Sequence, residues 1–409
     1  MHTSPLTVDE VLRREKWLIY ILAAIQFVHI LDFVILMPLG PMLMRIFDVN
    51  PSQFGLLVSS YTFAAGAANF GASFVGDRFE RKHMLLFCFA GFIIGTLLCA
   101  LAPNFSLLLA ARIFAGAFGG VLNAVVFALI SDLIPPERRG TANGIIMSAF
   151  SISSVLGVPI GLALADMWDW HAPFLLIVGL GLVFWMLASA LLPLAHNVRA
   201  TLGVRSTIRE FARVATMPLH LQSIALTSLL AFSIFLVIPF ISPSMVRNVR
   251  LAESDLKYIY LVGGAFTIFS ARFIGRMCDR LGSFKVFTAT ALFSLLPIAL
   301  ITHLGVTPLP LALTVSTLFM MSGSGRFIPA MTMLSLVVEP KNRGTFMGLE
   351  NAIRQVASGL ASLTAGVIIV ETVDGRLANF NLVGVLAVSV AVVAWFFARK
   401  VAAHLPPRP

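Results

Sequence analysis

Two carboxylates, Asp32 and Glu350, lie deep inside long apolar runs. Charge is costly in hydrocarbon, so an ionisable group in such a place is a functional candidate by default. Asp32 belongs to Phe27-Val28-His29-Ile30-Leu31-Asp32-Phe33, where His29 and Asp32 are three residues apart and share one helical face. Arg112 interrupts another apolar run, Arg112-Ile-Phe-Ala-Gly116-Ala-Phe-Gly119-Gly120. Asp32 lies about ten residues, and Arg112 about seven, from the ends of their runs on one side, depths of roughly 15 and 10 Å at 1.5 Å per residue. An arginine side chain spans that difference, so an Asp32–Arg112 pair is expected. A carboxylic acid whose hydration and partner change between two states takes up a proton in one and releases it in the other. His29 would relay that proton or only hydrogen-bond beside it. A purely structural ion pair is the alternative.

A second cluster reads Glu350-Asn351-Ala-Ile-Arg354-Gln355, with Glu350 and Arg354 at i, i+4 in the favourable order. Arg326, in Ser322-Gly-Ser-Gly325-Arg326-Phe-Ile-Pro329, lies at roughly the depth of Arg354, so one carboxylate is expected to face two arginines. Surplus positive charge there would receive an anionic or zwitterionic group. A structural salt-bridge network is the other reading, and both stay open. The scattered histidines offer neither a nucleophile with its base nor a metal cluster, and Cys88, Cys99 and Cys278 lack metal-ligand spacing. No metal or cofactor is expected, and enzyme chemistry is unsupported. The chain has no Gly-x4-Gly-Lys-Ser/Thr run, so nothing in it points to ATP-driven pumping.

The elements that hold these residues are apolar helices. Of 409 residues 58% are hydrophobic and 12% charged, against roughly 25% charged in soluble domains. The lipid bilayer is the main solvent of such a chain. Twelve segments reach the length of about 20 residues needed to span it: 17–43, 54–76, 84–102, 105–131, 144–165, 172–194, 218–241, 257–276, 285–303, 309–337, 345–369 and 381–398. The first is too long for the apolar part of a cleaved signal peptide and is expected to stay. The Arg-rich stretch 196–217 divides two six-helix bundles, 1–195 and 218–409. The net charge of +10 sits in short clusters between apolar segments, which orients helices rather than binding nucleic acid. With the amino terminus inside, the side opposite the termini holds only Arg45, Arg247, Arg250, Lys257 and Arg376 of the Lys and Arg outside the spans. Both termini and the linker are therefore expected in the cytoplasm.

The halves repeat one another. Ser73-Phe74-Val75-Gly76-Asp77-Arg78-Phe79-Glu80-Arg81-Lys82 returns as Gly275-Arg276-Met277-Cys278-Asp279-Arg280-Leu281-Gly282, and Pro136-Glu-Arg-Arg139-Gly140-Thr141 as Pro340-Lys-Asn-Arg343-Gly344-Thr345. The steps are 202 residues from Asp77 to Asp279 and 204 from Arg139 to Arg343, so an internal duplication is implied. At the 204-residue step Arg326, Glu350 and Arg354 answer to the apolar Leu122, Ile146 and Phe150. Asymmetry on a duplicated scaffold suggests function.

Over its whole length the chain resembles the major facilitator superfamily. That family's loop Gly-x-x-x-Asp-Arg-x-Gly-Arg-Lys matches the stretch from Ser73 to Lys82, with Ser73 and Glu80 in place of both glycines; the second copy keeps them as Gly275 and Gly282. The Arg112 run is similar to the Arg-x-x-x-Gly-x-Gly motif of proton-coupled members, its second glycine one position late. Gly157-Val-Pro159-Ile-Gly161 resembles the antiporter motif of twelve-helix efflux permeases. The resemblance implies the major-facilitator fold, an all-α membrane protein with twelve transmembrane helices in two pseudo-symmetric halves. Helices 1, 4, 7 and 10 would line a cavity, offering Phe27, Phe33, Phe232, Phe235, Phe240 and Met321 for apolar contact.

Physical reasons attach to these motifs. Asp77 is placed to accept from the N–H groups opening helix 3 and to pair with Arg81, with Asp132 as a second carboxylate and Arg78, Asp279 and Arg280 completing a cytoplasmic latch; ordinary solvated turns are the alternative. Gly157, Pro159 and Gly161 would bend helix 5 and admit a close neighbour, or serve generic packing. The expected function is proton-coupled export of a small amphipathic molecule, a drug, sugar or metabolite, by a monomer in a bacterial inner membrane. Uptake of an organic anion by symport, and a non-transporting sensor or lipid-handling protein, are the alternatives. The topology has a direct check: a reporter enzyme active only outside the cytoplasm should be silent when fused after Pro409 and active when inserted between residues 248 and 255.

Overall fold

A computed structural model describes residues 8–75, 79–193, 212–339 and 343–405. Its helices form twelve crossings: α1 and α2 (Val8–Ile35, Gly40–Ile46), α3 (Pro51–Val75), α4 (Arg81–Ala100), α5 (Phe105–Leu133), α6 and α7 (Pro136–Ile152, Val158–Met167), α8 (His171–Leu191), α9 and α10 (Pro218–Phe235, Ile238–Arg247), α11 (Leu256–Leu281), α12 (Ser283–His303), α13 (Leu309–Val337), α14 (Arg343–Ile368) and α15 (Phe380–Ala402). An even number of crossings brings the start of α1 and the end of α15 to one face, the terminal face; the opposite one is the far face. Two short strands, β1 (Val370–Glu371) and β2 (Leu377–Ala378), pair antiparallel in a far-face loop. Most of the expected linker lies outside the described residues.

Proline interrupts three crossings, because it lacks the N–H that a helix interior needs. The first runs from Val8 to Ile35 and resumes at Gly40 beyond Pro38, where one continuous segment, 17–43, is predicted. The seventh likewise divides, at Leu236 and Val237 ahead of Pro239, and continues to Arg247 rather than ending at 241. The fifth starts at Pro136, earlier than the predicted 144, and carries a π turn over Ser153–Gly157 just before Pro159. The anticipated distortion of that helix thus takes the form of a widened turn.

Ten crossings are long and apolar enough to span a membrane by composition. The other two, α3 and α14, make the most extensive helix pairing in the molecule, one from each half. Helices sheltered from lipid by each other have less need of apolar surface. Small residues let them touch: a Cβ on Gly55 would fall 2.6 Å from the Ser362 carbonyl oxygen, and one on Gly366 2.7 Å from that of Pro51. The seam loosens toward the terminal face, where Gly71, Gly344 and Gly348 look onto open space. At the far face the halves are joined again by Phe54 against Phe240, at 5.8 Å between centroids, and by the pairs Arg45–Glu253 and Lys257–Asp166. The two halves therefore close on one another at the far face and part toward the terminal face.

Within the amino-terminal half, α5 sinks onto α3 through two glycines. A Cβ on Gly116 would lie 2.4 Å from the Tyr61 carbonyl oxygen, and one on Gly120 2.3 Å from that of Ala65. Gly120→Val should lower the thermal midpoint of the purified protein, with a destabilisation of about 1–3 kcal/mol typical of overpacking. Gly140→Ala, in open space within α6, should leave it unchanged or raise it slightly.

Candidate functional site

The bare face of α5 carries Arg112 into the amino-terminal bundle, since Gly116, Gly119 and Gly120 follow it at four, seven and eight residues. Asp32 and Arg112 are both 0% exposed. Arg112 Nη1 donates to Asp32 Oδ2 at 2.7 Å, and the Thr96 hydroxyl of α4 donates to Asp32 Oδ1 at 3.0 Å. The guanidinium carbon stands 4.3 Å from the centre of the Tyr61 ring, and Cys99 lies beside it. Four helices thus contribute to one charge pair, of which the amino-acid sequence alone indicates only Asp32 and Arg112.

His29 does not join the pair. Its ring packs edge-on against Phe92 at 5.5 Å. A Cβ on Gly119 would fall 2.4 Å from Tyr61 Oη and 3.0 Å from His29 Nε2, so both polar groups crowd the glycine. Neither His29 nitrogen nor Tyr61 Oη has a hydrogen-bond partner. One turn toward the terminal face Gln26 donates to Asn123 at 2.8 Å, tying α1 to α5.

In the carboxyl-terminal half Glu350 is 2% exposed and accepts from Arg354 Nε at 3.0 Å. Arg354 also donates to Asn351 Oδ1 at 2.9 Å and stands 5.5 Å from the centre of the Phe327 ring. The second arginine expected at Glu350 is elsewhere. Arg326, 1% exposed, donates from Nη1 to Ser233 Oγ at 3.3 Å, while its Nε and Nη2 have no partner and no described carboxylate lies within 4.0 Å. Ser233 in turn donates to the Ala387 carbonyl oxygen of α15 at 2.9 Å. Ser233 is two residues, about 200° of helix, from Phe235, which meets the other half. Arg326 therefore lies behind α9 and not in the cavity lining where it was expected, and α13 barely touches α14, which carries Glu350.

Of the aromatic candidates, Phe33 lies 5.9 Å from Phe235 across the interface of the halves and 5.3 Å from Tyr61, measured between centroids. Phe240 is fully buried against Phe54. These three belong to the closed far side, while Phe27, Phe232 and Met321 are half-buried.

A profile of the Major Facilitator Superfamily matches residues 22–307 and 223–409. The chain belongs to that superfamily. The uncharacterized MFS-type transporter YceJ of Bacillus subtilis (strain 168) is 26% identical over 357 residues, 85% of this chain and 88% of that one. A probable sugar efflux transporter of Helicobacter pylori (strain G27) is 29% identical over 147 residues, covering 36% of this chain and 38% of its own. Among solved structures, a bacterial homolog of the human lysosomal transporter Spinster, inward-facing and unoccupied, superposes with a TM-score of 0.78 at 14% identity over 97% of this chain and 99% of that one. The protein is a multi-pass membrane transporter, not an enzyme.

The transporter's other motif residues fall at the ends of the bundle. Arg81 Nε donates to Asp132 Oδ2 at 3.2 Å, while Asp77 and Arg78 lie outside the described residues. The Glu80 carboxylate accepts from Lys82 N and His83 N at 3.0 and 2.8 Å and so caps the start of α4. Asp279 and Arg280 are exposed and make no ion pair with a described residue. Gly157 and Gly161 make room for α1, where a Cβ on each would fall 2.7 Å from Leu31 and Ile35 side chains respectively. The residues the sequence reading missed are Tyr61, Thr96 and Cys99; the polar run Ser59-Ser60-Tyr61-Thr62 inside an apolar segment was the available signal.

Removing one member of the pair should harm more than removing both. Arg112→Ala leaves the Asp32 charge buried alone and should cost about 3–5 kcal/mol, read as a lowered thermal midpoint. Asp32→Asn combined with Arg112→Gln should recover most of that loss.

Proposed function

We propose that this transporter is a proton-coupled exporter that moves a small amphipathic molecule by alternating access, with Asp32 carrying the coupling proton. The observation that carries the reading is the Asp32–Arg112 pair, closed from solvent, bridged by one 2.7 Å hydrogen bond and placed where four helices of one half meet. An acid held this way changes its protonation only when the surrounding helices rearrange, which is what coupling requires. No other coupling ion or cofactor enters the proposal.

The excess of basic residues on the terminal face supports a bacterial inner membrane with that face in the cytoplasm. On that orientation the arrangement, closed at the far face, is the inward-facing state, in which cargo enters from the cytoplasm and the protein acts as a monomer. The partial match to a probable sugar efflux transporter supports export, with sugars among the first compounds to try. Anion uptake draws on the uncompensated charge of Arg326, but that guanidinium lies behind α9 and away from the interface of the halves. Export is preferred for that reason.

The test uses liposomes holding the purified protein and a pH-sensitive dye, challenged with sugars, organic acids and amphipathic drugs. Substrate-driven proton movement in the wild type that disappears in Asp32→Asn is the expected result. An established substrate that exchanges without proton movement, equally in wild type and Asp32→Asn, overturns the reading.

A further inference from the structure

The Tyr61 ring lies between two partners that belong to different parts of the machine. On one side the Arg112 guanidinium carbon stands 4.3 Å from its centre. On the other it meets Phe33 at 5.3 Å, and Phe33 meets Phe235 of the opposite half at 5.9 Å. A line of direct contacts thus runs from the Asp32 carboxylate through Arg112, Tyr61 and Phe33 to the seal that joins the halves. The Tyr61 hydroxyl makes no hydrogen bond, and the carbonyl of the same residue faces the space a Gly116 Cβ would fill, so the ring is positioned by packing on α5.

We infer that Tyr61 is a positioning residue that transmits the state of the Asp32–Arg112 pair to the contact between Phe33 and Phe235. This rests on the proposed proton site at Asp32. The groups that face that carboxylate are Arg112 from α5, Tyr61 from α3, Thr96 and Cys99 from α4, and His29 one turn away on α1 itself. While Asp32 is ionised it shares the guanidinium charge. When a proton binds Asp32 Oδ2 the ion pair is lost, and the face of Tyr61 becomes the main compensation for a cation in a dry site, where such contacts are strongest. The ring is then held firmly on Arg112 in its present place, giving Phe33 a fixed surface that keeps it packed on Phe235, and the far-face seal tightens. Loss of the proton relaxes that grip and lets cargo drive the far face open. A proton taken up from outside closes the far face behind it, the sense that antiport requires.

The experiment measures distances between spin labels on Leu101→Cys and Val306→Cys, exposed far-face loop positions in opposite halves, with the full-length protein in lipid nanodiscs. The three natural cysteines are buried. Acidification from about pH 8 to about pH 5.5 should lower the ratio of open to closed far face in the wild type by on the order of tenfold. Asp32→Asn should be closed at every pH. Tyr61→Phe, which keeps the ring, should respond as wild type; Tyr61→Leu should lose the response, and so should Phe33→Leu, which cuts the next link and decides the matter if Tyr61→Leu does not fold. A normal pH response in Tyr61→Leu or Phe33→Leu, alongside its loss in Asp32→Asn, overturns this inference and leaves the proton site standing. Absence of any response in the wild type overturns both.

Discussion

A carboxylate and a guanidinium cannot be taken out of water separately without a large free-energy cost, and Asp32 and Arg112 are taken out together. That constraint organises the amino-terminal half. It requires Arg112 to cross the gap between α5 and α1, so α5 must present a side without side chains. It requires the second carboxylate oxygen to be satisfied, which Thr96 does from α4. It leaves Arg112 Nε and Nη2 without hydrogen bonds, and the Tyr61 ring covers the guanidinium instead. The glycines of α5, the polar run on α3 and the hydroxyl on α4 are three answers to one electrostatic problem.

The carboxyl-terminal half solves a different problem with the same scaffold. Its buried carboxylate pairs within its own helix, so Glu350 and Arg354 tie α14 to nothing but the Phe327 ring beside them. Arg326 has no counter-charge among the described residues, yet it bridges α13 and α9 through Ser233. One half therefore locks four helices around a charge pair while the other makes its pair within a single helix.

Between them, the halves touch through surfaces of opposite character at the two faces. Backbone meets backbone where Gly55 and Gly366 line the α3–α14 seam, and aromatic rings and ion pairs close the far side. Toward the terminal face the glycines at 71, 344 and 348 meet nothing. Such a seam combines van der Waals packing near the far face with weak attachment elsewhere, which permits the halves to rock without unfolding either one.

The run of apolar segments and the two-halved helical fold were legible in the amino-acid sequence because hydrocarbon imposes a length rule on every segment alone. The Asp32–Arg112 pair was legible for a related reason: buried charges are rare, and depth along a helix can be counted. Breaks at Pro38 and Pro239 and the π turn before Pro159 were not placed, since proline signals a disturbance and neighbouring helices choose its form. Rotation of each helix about its axis was out of reach as well. That rotation sends Arg326 toward Ser233 and not Glu350, and sets Tyr61 against both Arg112 and Phe33. Depth is a property of one helix, but direction is settled only when all of them pack, and so the sequence by itself determined which residues could hold charge while the tertiary structure decided which of them meet.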